Sequence, residues 1–381
     1  MIAMIAASPY QILNALSLSM HSFKDEPIDL YVYSSFYKGV ADTSNKLKNS
    51  NLFANVYLPV DPCVFMEVPE KTNLFNEYEL EEIEKVVQNG FGVNLKEKFY
   101  DKIVCASINR AGTSMVSYFS YYNKLLETYL YDEGLAQYLS YADNMDNSIA
   151  FFEQENNYMV KVIKNHSSIP KLTAHFLNQP DLYVQERFAP VQKLPKFDTK
   201  NTEMVAMLSE LHHYDEKEDE FINRKIVFFS QPIATTALTR IQLFEVLSII
   251  ETTFCIDDFI VKLHPGESNN FPELRHYHIS EKSGTPWEIF CMNHDYSDKI
   301  FITSFSSAVF TPNMLFDQQP TIIILDNLKY EVGNRDTALN AFFTRFRAAY
   351  PDPNKVFIPK TMGEFSSILA SLKHKEELNK Q

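Results

Sequence analysis

The sequence predicts an α/β protein with two Rossmann-like domains that face a central cleft. Three observations predict this fold class: short apolar runs alternate with helical segments, the alternation starts a second time, and a polar stretch separates the two series. Strands that alternate with helices form βαβ units with parallel sheets. The length of 381 residues also fits two domains better than one.

The N-terminal domain is expected over residues 1–200. Its first apolar run ends at Ser8-Pro9, and Tyr10–Met20 then has helical spacing. Apolar runs predict its strands at Ile2–Ala7, Ile28–Tyr33, Val56–Leu58, Lys102–Ala106 and Glu127–Tyr131. Two further helices are predicted at Glu79–Val87 and Met115–Leu126.

A polar segment over residues 201–224 is expected to link the two domains. It contains one helical piece, Thr202–His212, and a charge run, Asp215–Glu220, that is most simply a solvated surface. The C-terminal domain follows over residues 225–360. A helix over residues 361–381 ends the chain, with the N-terminal domain as a candidate packing partner.

The second series repeats the pattern of the first. Its first helix is predicted at Ile233–Thr252. Its strands are predicted at Lys225–Phe229, Phe259–Leu263, Tyr277–Ile279, Ile300–Thr303, Thr321–Leu325 and Val356–Ile358.

Charge and cysteine content argue against several classes of protein. A net charge of −14 disfavours a nucleic-acid-binding protein, because such proteins carry basic surface that neutralises phosphates. The four cysteines form no CxxC pair, which argues against a zinc site or a disulfide framework and indicates a reducing compartment. The apolar start lacks a basic leader and is interrupted by Pro9, so we expect a cytoplasmic protein.

An acidic pair follows the last predicted strand of the first series. Asp132-Glu133-Gly134 comes directly after Glu127–Tyr131. Ligands of open parallel sheets bind beyond the carboxyl ends of the strands, so one of these acids can face a ligand. A partly desolvated carboxylate there is a competent general base. The alternative is an ordinary polar turn, since Asp and Gly are common turn residues.

A histidine followed by proline ends a strand of the second series. His264-Pro265-Gly266 comes after Phe259–Leu263, and the proline restricts the backbone of the histidine to extended geometry. A histidine held there can donate a hydrogen bond to a phosphate or a proton to a leaving oxygen. The alternative is an ordinary Pro-Gly turn.

Glu288 opens a short predicted helix directly after Pro286-Trp287. Its carboxylate suits the two hydroxyls of a ribose, which is the role of an acid in dinucleotide-binding folds. The alternative is a first-turn acid that the helix dipole favours. Trp287, the only tryptophan, is more typical of a core position.

A run of serines lies between the strand Ile300–Thr303 and the predicted helix Ala308–Phe316. Ser304, Ser306 and Ser307 bring hydroxyls and free amides to the start of that helix. Such a helix start binds anions without a metal or a lysine. An N-cap at Ser306 is the simpler interpretation, and the two are compatible.

Together, these motifs resemble those of the bacterial sialyltransferases. That family carries an acidic pair before glycine, a His-Pro pair and a Ser-Ser or Ser-Thr pair, in this order. The opening Ala7-Ser8-Pro9-Tyr10-Gln11-Ile12-Leu13 also resembles the start of glycosyltransferase family 52, which includes lipooligosaccharide and capsule sialyltransferases. Two consecutive Rossmann-like halves are the GT-B architecture of glycosyltransferases.

The resemblance implies an inverting transfer of sialic acid from CMP-sialic acid to a hydroxyl of a glycan acceptor, galactose-ended and of the capsule or lipooligosaccharide type. By position, Asp132 is the first choice of base and Glu133 the second, while His264 binds or protonates the departing phosphate. Ser306 and Ser307 then hold phosphate oxygens, and Glu288 binds the ribose. The N-terminal domain takes the acceptor and the C-terminal domain the donor.

The same resemblance implies no cofactor beyond the donor substrate, and no metal, since the sequence has no D-x-D motif. Pro265 and Gly266 belong to the implied donor contacts, although Gly266-Glu267 stands where some members carry Arg. Two further loops are weaker candidates, each with an ordinary surface loop as its alternative. They are Asn109-Arg110, for the acceptor or the carboxylate of the sugar, and Ser230-Gln231, for the donor.

Other functions remain open at the level of sequence. Polysialyltransferases share similar motifs, but the net charge of −14 does not suggest a long basic groove for a polyanion. A GT-B enzyme with another nucleotide sugar and a nonenzymatic binding module are the remaining alternatives. The segments Ala341–Tyr350 and Ser366–Gln381 are candidates for contact with the inner face of a bacterial membrane, against the alternative of packed helices. The oligomeric state is left open.

Overall fold

The computed structural model describes most of the chain, in fifteen separate stretches. These are residues 1–32, 46–48, 50, 52–59, 77–106, 110–138, 172–184, 190–231, 238, 240–264, 274, 276–280, 285–304, 306–328 and 337–379. The chain divides into two units, Met1–Asn201 and Thr202–Gln381. Each unit is built on its own parallel sheet.

The first unit contains a seven-stranded sheet with the order β3-β2-β1-β4-β5-β6-β7, and every neighbouring pair is parallel. The strands are β1 (Ile2–Ala6), β2 (Ile28–Val32), β3 (Asn55–Tyr57), β4 (Lys102–Ala106), β5 (Glu127–Tyr131), β6 (Leu172–Leu177) and β7 (Val191–Lys193). Its helices are α1 (Pro9–Met20), α2 (Glu77–Phe91) and α3 (Arg110–Tyr122). The strand order reverses between β1 and β4, which makes this the topological switch point.

Burial on both faces explains the apolar composition of the central strands. All five residues of β1 are buried, as expected for a strand inside a parallel sheet that helices cover.

The helix α1 begins at Pro9, directly after a capping residue. Ser8 is its N-cap and accepts the amide of Gln11 at 3.2 Å, and Pro9 occupies the first turn, where its missing N–H costs nothing.

The second unit contains a five-stranded parallel sheet with the order β12-β11-β10-β8-β9. The strands are β8 (Ile226–Phe229), β9 (Phe259–Lys262), β10 (Ile300–Thr303), β11 (Thr321–Ile324) and β12 (Val356–Phe357). The helices are α4 (Thr202–Leu211), α5 (Arg240–Thr253), α6 (Trp287–Asn293), α7 (Thr311–Phe316), α8 (Thr337–Ala349) and α9 (Met362–Asn379). The chain crosses from β9 over β8 to β10, so the switch point lies between β8 and β10.

This architecture confirms the predicted fold class of two Rossmann-like α/β units with parallel sheets. Three details differ from the sequence prediction. The strands β6 and β7 were not predicted, and Tyr277–Ile279 forms only an isolated bridge between Ile279 and Val261. The predicted helix Ala308–Phe316 is divided into a 3₁₀ turn, Ser307–Val309, and α7, which carries proline in its first turn.

The segment expected to be a linker begins with a packed helix of the second unit. Three of the apolar residues of α4, Met204, Leu208 and Leu211, are buried. The helix packs against α6, and Asn293 Nδ2 donates a hydrogen bond to Ser209 Oγ at 2.9 Å. The boundary between the two compact units lies at residues 201/202, inside the segment 201–224 that was expected to link them.

The two segments considered for membrane contact are helices with buried apolar side chains. In α8, Phe342, Phe343 and Phe346 are buried. In α9, Phe365 and Leu369 are fully buried, and the helix packs on α5 of the same unit. These aromatic and aliphatic side chains are thus packed inside the second unit, as the alternative to membrane contact predicted. Contact of α9 with the first unit stays a prediction. Within the described stretches, no helix combines the length and apolarity needed to span a bilayer.

The burial of α4 predicts a large loss of stability for Leu208→Ala. Leu208 is 0% exposed, and removing a buried leucine side chain leaves a cavity that costs about 2–5 kcal/mol in the free energy of unfolding. Leu378→Ala is the matched control, because Leu378 is 55% exposed in the same unit and should change stability by about 0.5 kcal/mol or less. Urea denaturation of the intact chain measures both variants. Equal, small effects would contradict a packed α4.

Candidate functional site

The acidic pair lies at the carboxyl edge of the first sheet. Asp132 follows β5 directly and is 0% exposed, whereas Glu133 is half-buried. Gly134 completes the turn with a φ of 120°, which favours glycine. Its amide donates a hydrogen bond to Asp132 Oδ1 at 2.8 Å. The turn thus fixes the first carboxylate inside the unit and leaves the second nearer the surface.

Each of the two oxygens of the Asp132 carboxylate accepts two hydrogen bonds. Besides the Gly134 amide, Oδ1 accepts the Tyr10 hydroxyl at 3.1 Å. Oδ2 accepts the hydroxyl of Tyr138 and the amide of Asn178 at 3.0 Å. The main-chain oxygen of Asp132 accepts Asn14 Nδ2 at 2.8 Å. The five partners come from α1, from the segment after β5 and from the end of β6.

None of these partners is a cation. Among the described residues, no lysine, arginine or histidine forms an ion pair with Asp132. Burial raises the pKa of the Asp132 carboxyl, and the four hydrogen bonds only partly oppose that shift. A carboxyl with a raised pKa holds a proton more readily than an exposed aspartate does. This arrangement suits a group that accepts a proton during a reaction.

Asp29 in the same unit has a different environment. It lies near the amino end of β2 and is also 0% exposed. It is paired with Lys98 Nζ at 2.9 Å and accepts the hydroxyl of Tyr100 at 2.7 Å and the amide of Asn55 at 2.7 Å. A lysine balances its charge, as expected of a buried structural acid. Of these two buried acids, Asp132 is the unusual one, because its hydrogen-bond donors are all neutral.

In the second unit, the candidate residues follow three adjacent strands. His264 follows β9, Ser230 follows β8, and the serine run follows β10. In the sheet, β8 lies between β9 and β10. The strands β9 and β10 are therefore two strand spacings apart, a distance of about 10 Å. A nucleotide is large enough to reach across that edge.

Ser230 connects the ends of β8 and β9. Its amide donates to the main-chain oxygen of Lys262 at 3.0 Å, and its hydroxyl accepts the amide of His264 at 3.1 Å. Ser230 is buried, and His264 is half-buried. Burial and the positive charge of Lys262 lower the pKa of the His264 imidazole, so that it is mainly neutral at neutral pH. A neutral imidazole can donate one hydrogen bond to a phosphate.

The end of β10 is held by Thr303, which is 0% exposed. Its hydroxyl donates to the main-chain oxygen of Phe229 at 3.0 Å and accepts the amide of Ser306 at 2.9 Å. Ser306 Oγ in turn caps the 3₁₀ turn by accepting the amide of Ala308 at 3.4 Å. Ser304 and Ser306 are buried, whereas Ser307 is exposed. Of the three serines, Ser307 presents the most accessible side chain.

Glu288 belongs to the same part of the second unit. It lies in the first turn of α6 and is half-buried, and its neighbour Trp287 donates an indole hydrogen bond to the main-chain oxygen of Ala308 at 2.9 Å. That bond ties α6 to the turn of the serine run. Trp287 is 4% exposed and is therefore a core residue. Burial raises the pKa of the Glu288 carboxyl, and the positive charge of Lys262 partly opposes the shift.

Several predicted contacts fall outside the described residues. Pro265, Gly266 and Asn109 lie there, and Arg110 is described only as the first backbone residue of α3. Gln231 is half-buried at the last described position after β8. The structure thus brings together His264 and Ser230 at one strand pair, and Glu288 and the serine run at another place on the same edge.

Sequence reasoning missed four residues of the Asp132 network: Tyr10, Asn14, Tyr138 and Asn178. Tyr10 and Asn14 lie on α1 four residues apart, about one helical turn, with Tyr10 partly exposed and Asn14 buried. Asn178 follows β6, so the rule that identified Asp132, a polar residue directly after a buried strand, would have identified it too. The signal was lost because β6 itself was not predicted.

Within the described stretches, no group of three or more His, Cys, Asp or Glu side chains could hold a metal ion.

No protein-family model matches this chain, and no curated protein matches it. Among solved structures, an α/β-galactoside α-2,3-sialyltransferase from Photobacterium phosphoreum is similar with a TM-score of 0.52 and 10% identity, over 94% of this chain and 98% of that chain. UGT89C1 from Arabidopsis thaliana, in complex with UDP, is similar with a TM-score of 0.52 and 11% identity, over 97% of this chain and 90% of that chain. This likeness shows the fold, which is that of GT-B glycosyltransferases.

The environment of Asp132 predicts its titration. Its pKa should lie above the ordinary value of 3.8, because burial outweighs the hydrogen bonds. A raised pKa in the folded state stabilises the fold fully below 3.8, and this contribution is lost as the pH rises through the folded-state pKa. Relative to wild type, Asp132→Asn should therefore gain free energy of unfolding as the pH rises through that range. Carboxyl ¹³C NMR, with this variant for assignment, measures the pKa, and a midpoint at or below 3.8 would contradict the prediction.

Proposed function

We propose that this chain is an inverting, metal-independent sialyltransferase that moves sialic acid from CMP-sialic acid to a hydroxyl of a galactose-ended glycan of the capsule or lipooligosaccharide type. The observation that carries the proposal is the position of Ser230, His264 and the serine run after the carboxyl ends of three adjacent strands. These are three parts of one predicted donor site. The ordered motifs and the GT-B fold support the same enzyme class.

In this proposal, Asp132 is the general base. The acceptor oxygen attacks the anomeric carbon of sialic acid, the bond from that carbon to the phosphate oxygen breaks, and CMP leaves with the electron pair. As the acceptor hydroxyl loses its proton, the Asp132 carboxylate takes up one proton. The raised pKa of that carboxyl favours this transfer. Glu133 is the competing base, since it is nearer the surface.

The second unit supplies the donor contacts. The leaving group is a phosphate monoester, whose charge increases as the bond breaks. The neutral imidazole of His264 donates a hydrogen bond to that phosphate, and the exposed hydroxyl of Ser307 donates another. Glu288 accepts the ribose hydroxyls. These groups can absorb the charge without a metal.

A second candidate is a GT-B enzyme that uses a different nucleotide sugar. It is favoured by one observation: the UDP complex of UGT89C1 is as similar to this chain as the sialyltransferase is, with a TM-score of 0.52 in both cases. The fold therefore does not distinguish cytidine from uridine donors. A calorimetric screen of CMP, UDP and their sugars separates the two candidates, since the sialyltransferase should prefer CMP and CMP-sialic acid.

The proposed activity predicts a sialylated product from CMP-sialic acid and a panel of lactose-type acceptors. Mass spectrometry should detect the addition of one sialic acid, and the rate should be unchanged by EDTA, because the phosphate contacts are protein groups. Strong inhibition by the chelator would contradict the metal-independent mechanism. Long chains of added sialic acid would instead favour a polysialyltransferase.

The choice of base predicts different effects for the two acids. Asp132→Asn should lower kcat by about 10²–10⁴-fold, the usual value of general-base catalysis, while calorimetry should find CMP binding unchanged. Glu133→Gln, the matched control one residue away, should lower kcat by less than about tenfold. The reverse order would make Glu133 the base. If both variants bind CMP and wild type shows no turnover with any donor, a nonenzymatic binding module is favoured.

A further inference from the structure

The enclosure of Asp132 raises the question of how a proton reaches it. The side chain is 0% exposed, and each carboxylate oxygen already accepts two hydrogen bonds. A substrate hydroxyl therefore has no free surface of this carboxylate to contact. A proton can arrive only through a group that already contacts one of the two oxygens.

Two of the four donors cannot pass a proton on. The amides of Gly134 and Asn178 are main-chain groups, which donate one hydrogen and have no basic lone pair. The other two donors, Tyr10 and Tyr138, are phenols, and a phenol oxygen both donates and accepts. The candidates are thus reduced to two side chains.

Exposure distinguishes the two phenols. Tyr138 is 0% exposed, and its oxygen also accepts the amide of Gln179 at 3.2 Å. Tyr10 is partly exposed, at the second position of α1 and next to the switch point of the sheet. Tyr10 is therefore the one of these two phenol-bearing residues that is not fully enclosed.

The amide of Asn178 fixes the direction of the hydrogen bond from Tyr10 to Asp132. Asn178 Nδ2 lies 2.9 Å from the Tyr10 oxygen and 3.4 Å from Asn14 Oδ1. Asn14 Oδ1 faces it because Asn14 Nδ2 donates to the main-chain oxygen of Asp132. An amide nitrogen only donates, so the Tyr10 oxygen accepts there and its own hydrogen points to Asp132 Oδ1, 3.1 Å away.

The loop before α1 holds Tyr10 in place. Ser8 caps the helix, and Gln11 Oε1 accepts the amide of Ala7 at 2.6 Å. The phenol is thus attached to a short, hydrogen-bonded connection between β1 and α1. Such a connection preserves the contact of Tyr10 with Asp132 without the help of a ligand.

We propose that Tyr10 is a catalytic residue, which passes the proton of the acceptor hydroxyl to Asp132. This role rests on the proposed function with Asp132 as base. As the acceptor oxygen attacks, its O–H bond breaks and the proton moves to the Tyr10 oxygen. In the same step the original phenol O–H bond breaks and that proton moves to Asp132 Oδ1. The tyrosine is regenerated, the carboxylate becomes a neutral acid, and charge and protons balance.

The electrostatics of the two groups agree with this route. Burial and the nearby Asp132 carboxylate raise the pKa of the Tyr10 phenol well above its ordinary value, so Tyr10 keeps its hydrogen at neutral pH. It therefore does not serve as a base by itself, as a phenolate would. It conducts a proton only because Asp132 accepts one at the other side.

Tyr10→Phe and Tyr138→Phe form a matched pair of variants. Each removes one phenol donor from Asp132, from Oδ1 in the first case and from Oδ2 in the second. Tyr10→Phe should lower the single-turnover rate by about 10²–10³-fold with CMP binding unchanged, because the proton route is interrupted. Tyr138→Phe should lower it by about tenfold or less, because it only perturbs the carboxylate. Equal losses in both variants would overturn the relay.

A proton inventory tests the relay separately from any structural role of Tyr10. In single turnovers in mixtures of H₂O and D₂O, wild type should give a curved dependence of rate on deuterium fraction, since two protons move together. A linear dependence would overturn the relay. If Tyr10→Phe does not fold, 3-fluorotyrosine at position 10 keeps the shape and lowers the phenol pKa, and a wild-type rate and inventory there would also overturn it.

The outcomes separate this inference from the proposed function. A wild-type chain that transfers no sialic acid overturns the proposed function, and with it this role of Tyr10. A wild-type chain that transfers sialic acid, together with a Tyr10→Phe variant of equal rate, overturns the relay alone. Binding of CMP by the Tyr10→Phe variant, measured by calorimetry, verifies that the second unit is intact in the comparison.

Discussion

The candidate site depends on Asp132, a buried carboxylate with which no cation among the described residues forms an ion pair. Transferring an ionised carboxylate from water into a protein interior is costly unless it is paired or hydrogen-bonded. Four neutral donors reduce that cost for Asp132, but burial still raises its pKa. The buried, ionised carboxylate therefore lowers the free energy of unfolding of the first unit. The same burial favours the uptake of a proton by Asp132. Asp29, by contrast, has a lysine at 2.9 Å that balances its charge.

The fold could largely be predicted from the sequence because its strands are short, apolar and separated by helical spacing. Lys102–Ala106, Glu127–Tyr131 and Ile300–Thr303 were predicted with the bounds that the structure has. The strand β6 was missed, since His175 interrupts its apolar run and the alternation of the segment is weak. The packing of α4 against α6 was missed for a similar reason, because a contact between distant segments leaves little trace in local composition.

The candidate site was predicted only in part, and the division follows from how its residues are held. Asp132, His264 and Ser306 lie one, two and three residues after the ends of their strands, so a rule about strand ends identifies them. Tyr10 and Asn178 matter through hydrogen bonds to Asp132 from segments 122 and 46 residues away. Periodicity and composition describe neighbours along the chain. They contain no information about which distant donor completes the shell of a buried acid.

The candidate residues are held differently in the two units. In the second unit, the hydroxyls of Ser230 and Thr303 join strand ends and so fix the backbone beside half-buried His264 and exposed Ser307, the two proposed phosphate contacts. In the first unit, the backbone and side chains converge on Asp132 and enclose it. A donor phosphate must be contacted directly, because its charge requires short hydrogen bonds. A proton can travel through an intermediate oxygen, so an enclosed Asp132 can still serve as the proposed base through the hydroxyl of Tyr10.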